Sequence, residues 1–526
     1  LPVILTTPPL SLSDQLSDIL DSFGGFGPVL WLMAGFCALL LTELLTLRRP
    51  DARIYLGGLT LFILAVALIW AVLLPWRGFL FGRLLFMDHQ AQFMQVVVAL
   101  AALLVVAYEL AGPRRTAISQ TAGPRSAVSR SAGPRSAVSP LPWYALLVAM
   151  TLGLFLMTIS VNLLSIYVSI ELVSIASYLL TALSGTRRAS EGGIKYLIFG
   201  AVSSAIMLYG MSLLYGMTGT LDLTADVFGA ELARQDAAVA TIVVLLTGAG
   251  LLFKLSGVPF HVWTPDAYQA APVPVAAFFS VGPKAAAVLV LMRVVTALPV
   301  ENSNLTGATA GDLQIPLAIL ALAGMFIGNL SALRQTDAKR LLAYSTIAHA
   351  GFLLVGVVAL SQAGFEAVLF YAGTYLFMSL AAFFLIDLLA RSRGSDDLTI
   401  SQFAGLGAKQ PLLSVALTIT MLGLTGLPPT VGFTAKLLSF SALFDAYSQT
   451  GKPWLLALFA LGLLNALISL VYYLKIPFLL FFRPLSGEHR TEKLPRAAVW
   501  LAVGLVVPIV ALFLKPDWLL TLLTSW

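Results

Sequence analysis

Runs of about twenty apolar residues recur from residue 28 to the carboxyl end, each long enough for a helix to cross a bilayer. Hydrocarbon offers the backbone no water, so each run must close its own hydrogen bonds as a helix. The expectation is an all-α polytopic membrane protein. Composition agrees: 11% of the 526 residues are charged and 59% are hydrophobic, where a soluble domain carries about 25% charged residues. The formal net charge of +6 comes from Arg and Lys scattered between apolar runs without interleaved aromatics. It reads as a topology signal, with the lipid bilayer as partner and no nucleic acid.

About fourteen windows can span. Two of them, 239–271 and 411–447, are too long for one straight span and contain Gly257-Val258-Pro259 and Gly426-Leu427-Pro428-Pro429. Proline removes a helix donor and clashes with the preceding turn, so both windows read as broken helices. Gly257, Pro259, His261, Pro428 and Pro429 are the candidate gating residues. With the amino terminus outside, 20 of the 31 Lys and Arg fall in the odd-numbered, cytoplasmic loops and five in the outer ones. Both termini are therefore expected on the outer side.

The chain divides into an outer tail (1–27), three helices (28–111), a loop (112–140), two larger units (141–300 and 301–484) and a closing stretch (485–526) holding a cytoplasmic loop, the last helix and the outer end. In the loop AGPR recurs at 111, 122 and 132. Such short tandem repeats read as a flexible, tolerated insertion, against a basic docking arm for a partner or anionic lipid. LSGVP at 255–259 matches LTGLP at 424–428, an offset of 169. Helices 4–8 and 9–13 read as two five-helix copies, and an odd count sets the copies in opposite orientation, as inverted repeats. The chain begins at Leu, which points to a start upstream, and nothing in it resembles a cleavable secretion signal.

Chemistry has few places to reside. Cys37 is the only cysteine, and the four histidines are far apart. No thiolate metal site, iron–sulfur cluster or phosphate-cradling loop is expected in the chain, so redox chemistry would belong to partners. Glu171 lies mid-span among apolar and hydroxyl residues. An ionisable group there costs about 2.5 to 3.5 kcal/mol, so its default reading is functional, against a structural ion pair. Lys254 stands three residues before Gly257, Lys284 lies inside the next window, and Lys436 lies in the second half of the second broken window. An ammonium taken out of water releases its proton more readily and a carboxylate beside it reverses this, so Glu171 is the candidate modulator of Lys254. Lys195, near the cytoplasmic end of its window, reads equally as a topology residue. His349 suits proton transfer near neutrality, or a structural hydrogen bond.

These residues sit in stretches that resemble a known family. KLSGVPFHVWTPDAYQAAPVPVAAFFSVGPK (254–284), DAKRLLAYSTIAHAGF (337–352) and GLPPTVGFTAKLLSF (426–440) are similar to the antiporter-like membrane subunits of respiratory complex I, the proton-pumping NADH:quinone oxidoreductase, and of multisubunit cation/proton antiporters. The resemblance covers roughly residues 150 to 450 and is nearest to the subunit N group, with Lys436 where the subunit M group carries Glu. The Arg-rich loop and the long outer tail are not typical of it.

The resemblance implies a Glu171–Lys254 modulating pair, a relay at Lys284, an exit-side relay at Lys436 and a further relay lysine at Lys195. It also implies a bacterial inner membrane, with NADH, FMN, iron–sulfur clusters and quinone held by partner subunits. The neighbours would be subunits M and K. A cation/proton antiporter subunit and a non-conducting scaffold are the alternatives.

Overall fold

The computed structural model describes residues 12–46, 52–112, 141–299, 309–394, 397–484 and 492–525. Three long helices come first: α1 (Leu12–Thr46), α2 (Ala52–Leu73) and α3 (His89–Ala111). A small antiparallel hairpin, β1 (Gly78–Leu80) and β2 (Leu85–Met87), joins α2 to α3. The first unit holds α4 (Leu141–Ile159), α5 (Leu163–Ala182), α6 (Arg187–Thr218), α7 (Asp226–Leu232), α8 (Ala237–Thr247), α9 (Ala249–Leu255), α10 (Trp263–Ala270) and α11 (Val273–Thr296). The second holds α12 (Ala310–Leu333), α13 (Ala338–Val358), α14 (Gln362–Arg391), α15 (Leu406–Lys409), α16 (Pro411–Thr425), α17 (Val431–Thr450) and α18 (Pro453–Phe482). Then come α19 (Arg496–Gly504), α20 (Val506–Leu514) and α21 (Asp517–Ser525).

Polar residues start these apolar helices by satisfying the free N–H groups of the first turn. Thr186, Asp337 and Ser361 each accept from a backbone N–H three residues on, opening α6, α13 and α14. Helices α11, α13 and α14 are almost wholly enclosed, while α1, α6 and α18 turn apolar faces outward as lipid-facing helices do. The enclosed three form the core in which the candidate residues lie. Helix α13 meets α12 backbone to backbone. A Cβ added at Gly328 would lie 2.5 Å from the Ala348 nitrogen, and one at Gly351 would lie 2.6 Å from the Ala321 oxygen. Small residues at such contacts let membrane helices approach closely.

Among the described residues, twelve spans are long and apolar enough to cross, with α19 and α20 taken together, or thirteen when the bent pair α8–α9 counts as one, against the fourteen expected. The shortfall lies at the second break, whose first half, α16, has 15 residues. The expected outer tail is in part helix, because α1 already begins at Leu12. The hairpin and α21 were not foreseen: strands of three residues carry too little pattern to detect. The repeat loop, apart from Gly112, lies outside the described residues.

Candidate functional site

Both broken helices end in the same way. Ser256 (φ 60°) and Gly426 (φ 86°) are left-handed, and the next N–H reaches back five residues, Gly257 to the Leu252 oxygen (2.7 Å) and Leu427 to the Leu422 oxygen (3.1 Å). This is the left-handed closure with which many helices end. It relates the two breaks by 170 residues, one more than the sequence match, and puts the left-handed residue of the first at Ser256 instead of Gly257. Gly257, Pro259, His261, Pro428 and Pro429 all lie in the turns that follow.

A helix that stops inside the bundle leaves carbonyls without partners. Lysines fill them. Lys284 of α11 donates to the Leu255 oxygen at 2.6 Å and to the Thr346 oxygen of α13 at 3.2 Å. Lys436 of α17 donates to the Thr425 and Leu424 oxygens at 2.6 and 3.3 Å, with its ammonium 4.5 Å from the Phe352 ring centre. Leu255 and Thr425 are equivalent positions, each just before its left-handed residue. The acceptor is therefore repeated, while the donor comes from a separate helix in one copy and from the far half of the broken helix in the other.

Helix α13 joins the two lysines. Thr346, His349 and Phe352 lie three residues apart, one helical turn each, and so share a face. Thr346 shares a hydrogen bond with Tyr375 (3.0 Å). His349 is buried, with Nδ1 2.7 Å from the Tyr371 hydroxyl and Nε2 3.0 Å from that of Tyr473, which also bonds Ser345. Lys284 meets the Thr346 carbonyl and Lys436 the Phe352 ring, one turn to either side of the imidazole.

Lys254 is buried at the end of α9, its ammonium 5.4 to 5.7 Å from the ring centres of Phe253, Tyr196 and Tyr178, and it has no hydrogen-bond partner among the described residues. Ring faces attract such a cation. The expected Glu171–Lys254 pair is not in contact. Glu171 accepts from Ser204 of α6, and no hydrogen bond or ion pair joins it to Lys254 among the described residues. Lys195 stands apart from the other lysines: its side chain is 42% exposed and tied to Glu191 (2.8 Å) and Asp266 (3.0 Å).

The family described as NADH:quinone oxidoreductase/Mrp antiporter, TM, matches residues 160–469, which take in both breaks and all six candidate relay residues. The chain belongs to this antiporter family. NADH-quinone oxidoreductase subunit N 1 of Rhizobium meliloti (strain 1021) is 36% identical over 464 residues, 88% of each chain. Subunit N 2 of Chloroherpeton thalassium is 42% identical over 351 residues, 66% of this chain and 67% of its own. Among solved structures, a chain of respiratory complex I from Thermus thermophilus with bound aureothin superposes with a TM-score of 0.74 at 30% identity, covering 94% of this chain and 98% of that one.

Within this antiporter-family fold, sequence reasoning named the lysines and the histidine and missed their partners. Tyr371 and Tyr375 sit one turn apart on α14, and this aromatic pair inside a buried helix was the available signal. Arg293, buried near the end of α11, pairs inward with Asp88 at 3.0 Å.

Proposed function

We propose that the chain translocates protons in the membrane arm of a bacterial complex I, through Lys254, Lys284, His349 and Lys436, with Glu171 as modulator. The observation that carries the reading is the single face of α13 that connects two lysine-capped helix breaks. A protonated lysine can donate to two carbonyls at once, and charge-assisted bonds of this kind are the strong ones. Each break therefore has a different hold on its lysine before and after proton loss. Moving one charge against 100 mV costs about 2.3 kcal/mol, the scale of one or two such bonds.

Quinone reduction, flavin and iron–sulfur clusters belong in this reading to partner subunits, with subunits M and K as the flanking neighbours. Glu171 supports a flanking neighbour, because it is part-exposed on the chain's surface and a mid-membrane carboxylate is poorly placed against lipid. The basic loops face the cytoplasm and both termini the periplasm. Lys195, carried over from the resemblance as a relay residue, is better placed at the basic mouth than in the buried path.

The test is the proton-to-electron ratio of the assembled complex in vesicles with Lys254→Ala. A reduced ratio with intact NADH oxidation is expected, and an unchanged ratio sinks the relay. Purification of the tagged chain with only small membrane partners and no NADH oxidation would assign it instead to a cation/proton antiporter.

A further inference from the structure

Among the described residues, half of the buried side-chain polar atoms without a hydrogen-bond partner fall in one short stretch. They are Lys254 Nζ, Ser256 Oγ, His261 Nδ1, Thr264 Oγ1 and Tyr268 OH. Buried groups of this kind are met by internal water where the site is polar. The stretch runs from the end of α9 across the first break into α10, whose one carboxylate meets both neighbouring helices, beside further ties from Lys339 to the Ala271 oxygen (2.8 Å) and from Arg340 to Gln269 (3.4 Å). Asp266 accepts from Lys195 of α6 at 3.0 Å and from Arg340 of α13 at 2.5 Å. Both helices begin nearby, at Arg187 and Ala338, so these contacts lie at the basic end of the bundle.

A second layer lies directly behind. Tyr196, next to Lys195, stacks flat on Trp263 with centroids 3.9 Å apart, and Lys254 Nζ is 5.6 Å from the Tyr196 ring centre. From the basic end inward the order is thus carboxylate with two cations, aromatic pair, lysine. We propose that Asp266 is a latch, tying α10 to α6 and α13 over the first break, and that its release lets water reach Lys254 past Tyr196 and Trp263. Asp266 is a positioning residue in this scheme. Its purpose rests on the relay reading, while its geometry does not.

The exposure of the three groups suits opening. The side chains of Lys195, Asp266 and Arg340 are 42, 31 and 29% exposed. Ion pairs that accessible are weak and sensitive to salt, so they can part without rearranging the core. Losing the carboxylate leaves Lys195 with Glu191 alone (2.8 Å) and Arg340 without its acidic partner, so nothing negative bridges the two cations any longer.

The test uses the whole complex in inside-out vesicles. Cys37→Ser removes the chain's one cysteine, and Thr264→Cys puts a reporter among the unmet polar atoms. The rate of labelling of the tagged chain by a charged methanethiosulfonate is then compared with and without Asp266→Asn. Labelling about tenfold faster, the change that roughly 1.4 kcal/mol brings to an opening equilibrium, is expected with Asp266→Asn and reversed with Asp266→Glu. Equal rates in assembled complexes overturn the latch. Where Asp266→Asn does not assemble, Arg340→Gln removes one of the two cations and carries the same expectation at smaller size. Proton-to-electron ratios on the same vesicles keep the two ideas apart. Faster labelling with an unchanged ratio in Lys254→Ala sinks the relay and keeps the latch, and equal labelling with a lost ratio in Lys254→Ala does the reverse.

Discussion

The first and second breaks share a backbone and differ in what holds them. In both, the carbonyl before the left-handed residue receives a lysine ammonium at 2.6 Å. At the second break that lysine belongs to α17, the continuation of the same broken helix, so the two halves are tied to each other. At the first it comes from α11, a different helix, and the stretch across the break, from Lys254 to Tyr268, gathers five polar atoms without a partner among the described residues. Equal folding of the backbone therefore does not mean equal freedom. The second break is stapled across itself, and the first is held by neighbours that can move away.

The strongest way to break the comparison is to remove the staple. Lys436→Ala leaves the Leu424 and Thr425 carbonyls without their donor, and we expect about tenfold or greater loss of coupled NADH:quinone turnover in the assembled complex. Retained turnover would make the second break passive. Gly426→Ala follows. It forces a side chain into φ 86° and sets a Cβ 2.7 Å from Lys436 Cδ. A left-handed non-glycine costs roughly 1–2 kcal/mol, so a lower thermal aggregation temperature and displaced pumping are expected together.

Thr346→Val tests the link between the breaks. It deletes the hydroxyl that meets Tyr375 and leaves the carbonyl that receives Lys284. A loss of about 1 kcal/mol, up to roughly fivefold in coupled turnover, is expected. Ser256→Gly is the smallest and has the opposite sign. The residue already sits at φ 60°, where glycine is at ease. The chain should resist heat slightly better, and if it does not, the two breaks are less alike than their caps imply.

Much of the architecture was legible because hydrocarbon allows so little choice: apolar length fixed the helices, and the proline-marked turns fixed both interruptions. The lysines and His349 were legible because a charge in a membrane span stands out. Their contacts were not. Which carbonyl a lysine meets depends on where a helix stops to within one residue, and the sequence match placed the repeat at 169 where the caps require 170. Glu171 facing Ser204 follows from helix rotation, which a span of uniformly apolar residues does not encode. Asp266 was passed over because an acid near a window's end looks like ordinary surface polarity.

The close seating of α13 on α12 bears on how motion in this protein can be measured. Glycines 328 and 351 bring two backbones together with little room between them for a side chain to slide or repack. A pair seated so closely should move as one body. Thr346, His349 and Phe352 ride on it, so in any two states of the complex the histidine should keep its coordinates relative to α12. Displacements of α9, α10, α16 and α17 would then be read against that fixed frame.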